Sequence, residues 1–303
     1  MSHSAGTHSQ KDRHFTTNRK KIIQRVRWNN FFRRLFSLST VFAIGALVIL
    51  LFQVWTDSVG WLNPGFLTRN LSIFPEKAGI YGAILGTVYL MLVVIPVTIL
   101  LGVATAIYLE EYAQKGSIAS FIRTNITNLA SVPSVIFGLL GLAVFGRLLN
   151  LGSSILAGGL TLSLLVLPIV VVAAQEALRA VPGFLREGSY AMGASKWTTI
   201  WRVVLPVALP GILTGGILAV SRAIGETAPL VVLGIPTLIM RIPKSLSDDF
   251  TALPIQIYYW TLDTVLTKEY ANLAAATIVV LLIVLFMMNS VAIVIRNKYQ
   301  RRF

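Results

Sequence analysis

Six stretches without an Asp, Glu, Lys or Arg constrain this chain more than any other feature: residues 35–56, 78–109, 124–146, 148–175, 203–221 and 270–295. Each is 19 residues or longer, and about 20 apolar residues wound as an α-helix cross a hydrocarbon core roughly 30 Å thick. Pro96, Pro133, Pro168 and Pro210 lie inside these runs. They would count against six such helices in water, but in lipid neighbouring helices re-satisfy the freed backbone groups. Composition agrees: 55% hydrophobic and 13% charged residues, with a mean hydropathy of +0.74, exclude a soluble 303-residue domain. A seventh uncharged run, 227–240, has 14 residues including Pro229 and Pro236. At about 21 Å of helix it is too short to span, and is expected to be re-entrant or extracytoplasmic. The fold class is therefore all-α integral membrane, with six transmembrane helices.

Basic residues set the expected orientation, because loops rich in Lys and Arg stay in the cytoplasm. Residues 1–37 hold nine Lys/Arg against one Asp, and the tail adds Arg296, Lys298, Arg301 and Arg302. With six spans both ends share one side, so both termini are expected in the cytoplasm. The 110–123 and 176–202 connections then fall inside. The 57–77 segment, the turn near Arg147 and the 222–269 region fall outside. The division expected is a basic cytoplasmic arm without regular structure over 1–34, followed by a transmembrane domain over 35–303.

The clusters Arg19-Lys20-Lys21 and Arg33-Arg34 raise nucleic acid as a partner. The reading preferred is a topogenic flank that binds membrane lipid, since Lys and Arg beside a first span meet anionic headgroups. No nucleic acid is expected. His3, His8 and His14 lie in this arm with no further metal-ligand residues beside them, so no metal site is expected. The first run follows about 34 polar residues without a small-residue cleavage site, and reads as a retained span rather than a signal peptide. The chain has no cysteine, which excludes disulfide and thiol chemistry. It has neither a phosphate-cradling Gly-x-x-x-x-Gly-Lys-[Ser/Thr] loop nor a nucleophile elbow nor a metalloprotease signature. It is not expected to be an enzyme by itself.

Two polar segments interrupt the apolar runs. The first opens on Glu187, Gly188 and Ser189, has Gly193 four positions later, then Trp197, and closes on Val203-Val204-Leu205-Pro206. Small residues let another backbone approach, a glycine permits a bend between helical pieces, and Pro206 suits the first turn of a following helix. This pattern resembles the EAA loop of ABC-importer permeases, with Gly188 and Ser189 where that family usually has Ala. The resemblance implies a short cytoplasmic coupling helix, within a loop of about 183–206, that docks into a cleft on an ATPase subunit.

The second segment, 221–230, places Arg222 and Glu226 four residues apart in uncharged surroundings. Charges at membrane depth usually face a bundle interior or aqueous cavity. Two readings stand. The pair offsets its own burial as an intrahelical ion pair, or Arg222 offers its planar fork to a tetrahedral oxyanion while Glu226 moderates the grip.

Residues 222–230 (Arg-Ala-Ile-Gly-Glu-Thr-Ala-Pro-Leu), with Gly193–Trp197, Leu205–Ile212, Val132–Leu139 and Phe250–Tyr258, resemble the permease subunits of the bacterial high-affinity phosphate importer. Ala228-Pro229-Leu230 and Leu253-Pro254-Ile255-Gln256-Ile257-Tyr258 favour the A subunit over its sister C. The resemblance covers roughly 78–300 and implies the type I ABC-importer permease fold. It further implies phosphate as substrate and a place in the cytoplasmic (inner) membrane. The implied partners are a C permease subunit, two ATPase subunits carrying ATP and Mg, and an extracytoplasmic phosphate-binding protein. This chain itself would hold no cofactor. Glu187, Gly188, Ser189, Gly193, Trp197, Leu205 and Pro206 become ATPase-coupling residues. Arg222, Glu226 and Thr227 become substrate-pathway residues. Glu110 and Glu111 are expected only to end the second span. The alternatives are the sister C subunit, a permease for another oxyanion, and an ATP-independent secondary carrier; the last should show two related halves, and none is visible.

Overall fold

The computed structural model describes residues 6–113, 116–236 and 242–299, with side chains from residue 21 to residue 298. The chain divides into two compact units, one ending at Thr56 and one running from Asp57. The first unit is the greater part of a single helix, α1 (Gly6–Ser58). The arm expected to lack regular structure is therefore helical from Gly6. No proline interrupts residues 6–58, and once a membrane run has nucleated a helix each added residue gains a hydrogen bond. The unit boundary also falls after the first apolar run rather than before it.

Among the described residues the second unit is built from helices joined by loops, with no named strand. The short α2 (Pro64–Thr68) is capped by Asn63, whose side chain accepts from the amide of Phe66. There follow α3 (Tyr81–Ile107), extended by a π-helical turn, Tyr108–Tyr112, and α4 (Ser117–Leu129). Next come α5 (Ser134–Gly141) with a π-helical end, Leu142–Leu148, and α6 (Ile155–Arg179). Then come α7 (Gly183–Ala191) and α8 (Lys196–Thr199), joined through the π-turn Ile200–Val204 to α9 (Leu205–Gly225). Last are α10 (Ala228–Val232), α11 (Leu253–Asp263) and α12 (Glu269–Tyr299).

Among the described residues five helices are long and apolar enough to span: Lys21–Ser58, Tyr81–Tyr112, Ile155–Arg179, Lys196–Gly225 and Glu269–Lys298. The sixth apolar run, 124–146, is not one straight helix. Ser117–Leu129 and Ser134–Leu148 meet at a 102° bend, because Pro133 lacks an amide hydrogen and drives Val132 out of helical geometry. Packing shows what this bent pair does. A Cβ on Gly159 would strike Val93, and one on Gly102 would strike Val170, so α3 and α6 run parallel. Residues 113–154 must carry the chain back along the bundle, and the bent pair counts as one crossing. Gly211 against Ala177 and Gly215 against Ala173 make α9 antiparallel to α6. Small residues at these crossings let backbones approach in lipid, where apolar side chains gain little by leaving the tails.

At the end where α6 begins, the chain folds over the bundle. Ser154 caps α6 by accepting from the amide of Ala157 at 3.3 Å. The amides of Ile155 and Leu156 donate to the carbonyls of Asp248 and Leu246. Asp248 is held in turn by the amides of Lys244 and Ser245, which keep its carboxyl below the ordinary range. The following Phe250 is fully buried against Gly158, and the amide of Leu253 donates to the hydroxyl of Thr87 at 2.9 Å.

Candidate docking loop and pathway residues

The helix α7 has two faces. Leu185 packs against a cluster of Ala106, Ala174, Leu178, Val181, Val204 and Ile212. Four residues on, Ser189 meets the buried Thr199 hydroxyl at 2.8 Å. Phe184, Glu187, Gly188, Tyr190 and Met192 are exposed, Met192 at 88%. Among the described residues Glu187 has no ion-pair partner. Open space surrounds Gly188. The helix ends in a Schellman motif: the amide of Gly193 donates to the carbonyl of Tyr190, and that of Ala194 to Ser189. Gly193 sits at φ +79°, the left-handed region that glycine enters without steric penalty. Ser195 then caps α8. Trp197 and Trp201, both more than half exposed, stack at 5.7 Å, and the Lys196 ammonium lies 4.9 Å from the Tyr112 ring centre.

Two expectations need correction here. Leu205 and Pro206 do lie in the first turn of α9, as expected, but the loop ends earlier than expected, at Ser195, because α8 runs on into α9 without a break over Lys196–Gly225. The π-turn at Ile200–Val204 relaxes the hydrogen-bond ladder just where Pro206 removes a donor. Leu205 packs on the same cluster as Leu185. Nor are Glu110 and Glu111 mere span ends. Glu110 accepts from Gln175 at 3.0 Å and from Arg179 at 2.8 Å, with Arg123 at 3.5 Å. Glu111, 7% exposed, accepts from Arg186 at 2.9 and 3.2 Å. Arg186 also donates to the carbonyls of Val181 (2.8 Å) and Leu178 (2.9 Å) at the end of α6. The sequence signal for this set was two carboxylates at the end of an apolar run, opposite basic residues 13 to 75 positions away.

The pathway candidates are partly assembled. Arg222 donates to Glu226 at 3.0 Å, although α9 stops at Gly225 and Glu226 is extended. The Glu226 side chain is 17% exposed and that of Arg222 50%. Gly216 lies against Ile99 of α3, and Arg222 is six residues, about 9 Å, further along α9 toward the start of α3. The pair is thus level with the middle of α3. Ser221 donates to Asn289 of α12 at 2.7 Å, a contact nothing in the sequence indicated. Thr227 makes no side-chain cap for α10. The short α10 packs on α5: a Cβ on Gly138 would meet Pro229 and Val232 at 2.8–2.9 Å. The described part of the 227–240 run, 227–236, thus forms a one-turn helix against the bundle; residues 237–241 lie outside the described set, as do the side chains of His3, His8 and His14. Among the described residues no group of three or more His, Cys, Asp or Glu is placed to hold a metal ion.

Residues 98–299 match the family described as binding-protein-dependent transport system inner membrane component. The chain belongs to that family. It is 40% identical over 195 residues to the phosphate transport system permease protein PstA 1 of Mycobacterium tuberculosis, a match covering 62% of this chain and 63% of the relative. It is 30% identical over 282 residues to the phosphate transport system permease protein PstA of Yersinia pestis, covering 92% and 94%. Among solved structures, the inward-facing MetNI methionine ABC transporter aligns with a TM-score of 0.57 at 18% identity, over 76% of this chain and 98% of that one. At that identity the likeness speaks for the fold alone, and the fold is that of an ABC-importer permease.

Proposed function

We propose that this chain is a permease subunit of an ATP-driven importer that moves inorganic phosphate across the inner membrane, with α7 as the coupling helix. The observation that carries the reading is the division of α7: one face fastened to α3, α6 and α8, the other exposing Phe184 and Tyr190 on either side of Glu187, which has no ion-pair partner among the described residues. A solvated loop has no use for Phe184, Met192 and Trp197 at its surface, whereas an ATPase cleft would bury them. The two phosphate-permease relatives support the substrate. ATP and Mg would sit on two partner ATPase subunits, and an A-type role beside a C-type permease and an extracytoplasmic phosphate-binding protein fits the sequence motifs. Both termini would be cytoplasmic, as the basic ends suggest.

In this reading Arg222 presents its fork to phosphate, and Glu226 holds the guanidinium until the anion competes for it. Half-exposure of the arginine side chain, with the carboxylate tucked behind it, supports that division of labour. Radiolabelled phosphate uptake tests it. Arg222→Gln should abolish uptake with the complex still assembled, and Arg222→Lys should retain little, because an ammonium lacks the two-pronged geometry. Recovery of uptake in the double variant Arg222→Gln, Glu226→Gln would make the pair structural instead, since removing both members of a poorly solvated pair is often tolerated.

A further inference from the structure

We infer that Arg186 and Glu111 form a strut that makes α7 and the end of α3 move as one body, so that displacement of the docking helix reaches the pathway. The inference rests on the reading of α7 as a coupling helix. A helix of nine residues ending in a glycine turn has no rigidity of its own relative to the bundle, and a partner pulling on it would otherwise bend the Met192–Ala194 turn. Leu185 packs beneath it and Ser189 bonds Thr199, and one guanidinium ties it to the end of α3. Arg186 spends two donors on Glu111 of the α3 extension and one each on the carbonyls of Val181 and Leu178. It therefore joins three segments, and it adds a side-chain donor to the Leu178 and Val181 carbonyls at the end of α6. Charge-assisted hydrogen bonds of this kind, with both side chains mostly buried, are short and directional.

The neighbouring Glu110 takes a different partner set, Gln175, Arg179 and Arg123. The two adjacent carboxylates thus divide the work. Glu110 ties α3 to α6 and α4 within the bundle. Glu111 reaches the docking helix. The π-turn at Tyr108–Tyr112 sets the angle between them. From Glu111 the path is one continuous rod, Tyr81–Tyr112, alongside which Arg222 lies. Arg186 and Glu111 are positioning residues: neither is offered as a contact to phosphate or nucleotide.

The chain contains no cysteine, so spin labels can be placed at will. With labels at Gly183→Cys on α7 and Tyr108→Cys on the α3 extension, both in exposed positions, the assembled transporter should show the same inter-label distance with and without ATP. A distance that changes with ATP in the otherwise unaltered chain overturns the strut. This measurement needs no phosphate, so its outcome is separate from that of the substrate reading. In reconstituted vesicles, Glu111→Gln should lower phosphate taken up per ATP hydrolysed by about 10-fold, within the range of site-to-site couplings, while hydrolysis persists. Arg186→Lys, with three donors where four are used, should fall between. An unchanged ratio, whether both rates hold or both fall together, assigns the pair a structural role only and overturns the inference. Absence of phosphate uptake by the unaltered complex, with the label distance constant, would instead count against the substrate.

Discussion

The two ends of the helical bundle are held by different physics. Where α6 begins, contacts run backbone to side chain with no room to spare: a Cβ on Gly86 would collide with the carbonyl of Thr251, one on Gly138 with Pro229, one on Gly158 with Phe250. Where α6 ends, the fastenings are long charged side chains, Arg179 and Arg186 reaching Glu110 and Glu111. Close packing falls off within a few tenths of an ångström and resists any displacement. A guanidinium–carboxylate pair can rotate and slide with its partners while keeping its bonds. The first end is therefore a fixed block, and the second is an attachment that passes on motion.

The contrast can be broken most severely at the block. Gly138→Leu should leave too little folded protein to assay, because overpacking a helix crossing costs about 1–3 kcal/mol or more and here meets a backbone that cannot retreat; near-normal thermal stability in detergent would contradict the packing account. At the other end, Arg179→Ala should cost roughly 1–3 kcal/mol, since it leaves Glu110 with Gln175 and a distant Arg123. The loss should shrink in the double variant with Glu110→Gln, measured by the same thermal shift. Gly193→Ala should cost about 1 kcal/mol through left-handed backbone strain alone, as open space surrounds that position. If uptake falls far more than stability does, a partner's backbone lies against it. Ser189→Ala should lose about 0.5–1.5 kcal/mol, the worth of one hydrogen bond.

The smallest effect belongs to Asp248. Its carboxyl titrates below the ordinary 3.8, because the Lys244 and then the Ser245 amide favour the charged form. The stability it contributes is complete above the ordinary value and is lost as pH falls through the lowered one. Asp248→Asn should remove that acid-side dependence and change nothing at neutral pH beyond a weakened loop. A mutant with the same acid limb in a thermal-shift titration would show that Asp248 is not its source.

Much of the molecule was open to reading from residues in sequence order. The apolar runs located every long helix, because a bilayer demands continuous stretches of apolar residues and each stretch is local. The Glu187–Gly193 segment was recognisable as a helix and turn for the same reason: the Schellman glycine is a local requirement. The bend at Pro133 was also written in the sequence, but whether it breaks a span or divides two could be decided only by the parallel packing of α3 and α6. Pro206 was placed correctly in the first turn of α9, but that α8 runs into α9 through a π-turn was not visible, since proline after a loop and proline after a π-turn look the same in a string of letters.

The ion-pair latches were illegible. Glu111 and Arg186 are 75 positions apart, and nothing in either neighbourhood names the other. The same holds for Thr87 with Leu253, Ser221 with Asn289 and Gly138 with Pro229, pairs that meet only because their helices cross as they do. By itself the sequence determined what must leave water, where helices begin and bend, and which short motifs this family uses, since all of these depend on neighbours within a few turns. The tertiary structure alone decided which charges find partners and which glycines carry a crossing. Those outcomes depend on the register between helices, and that register is set by the packing of the bundle as a whole.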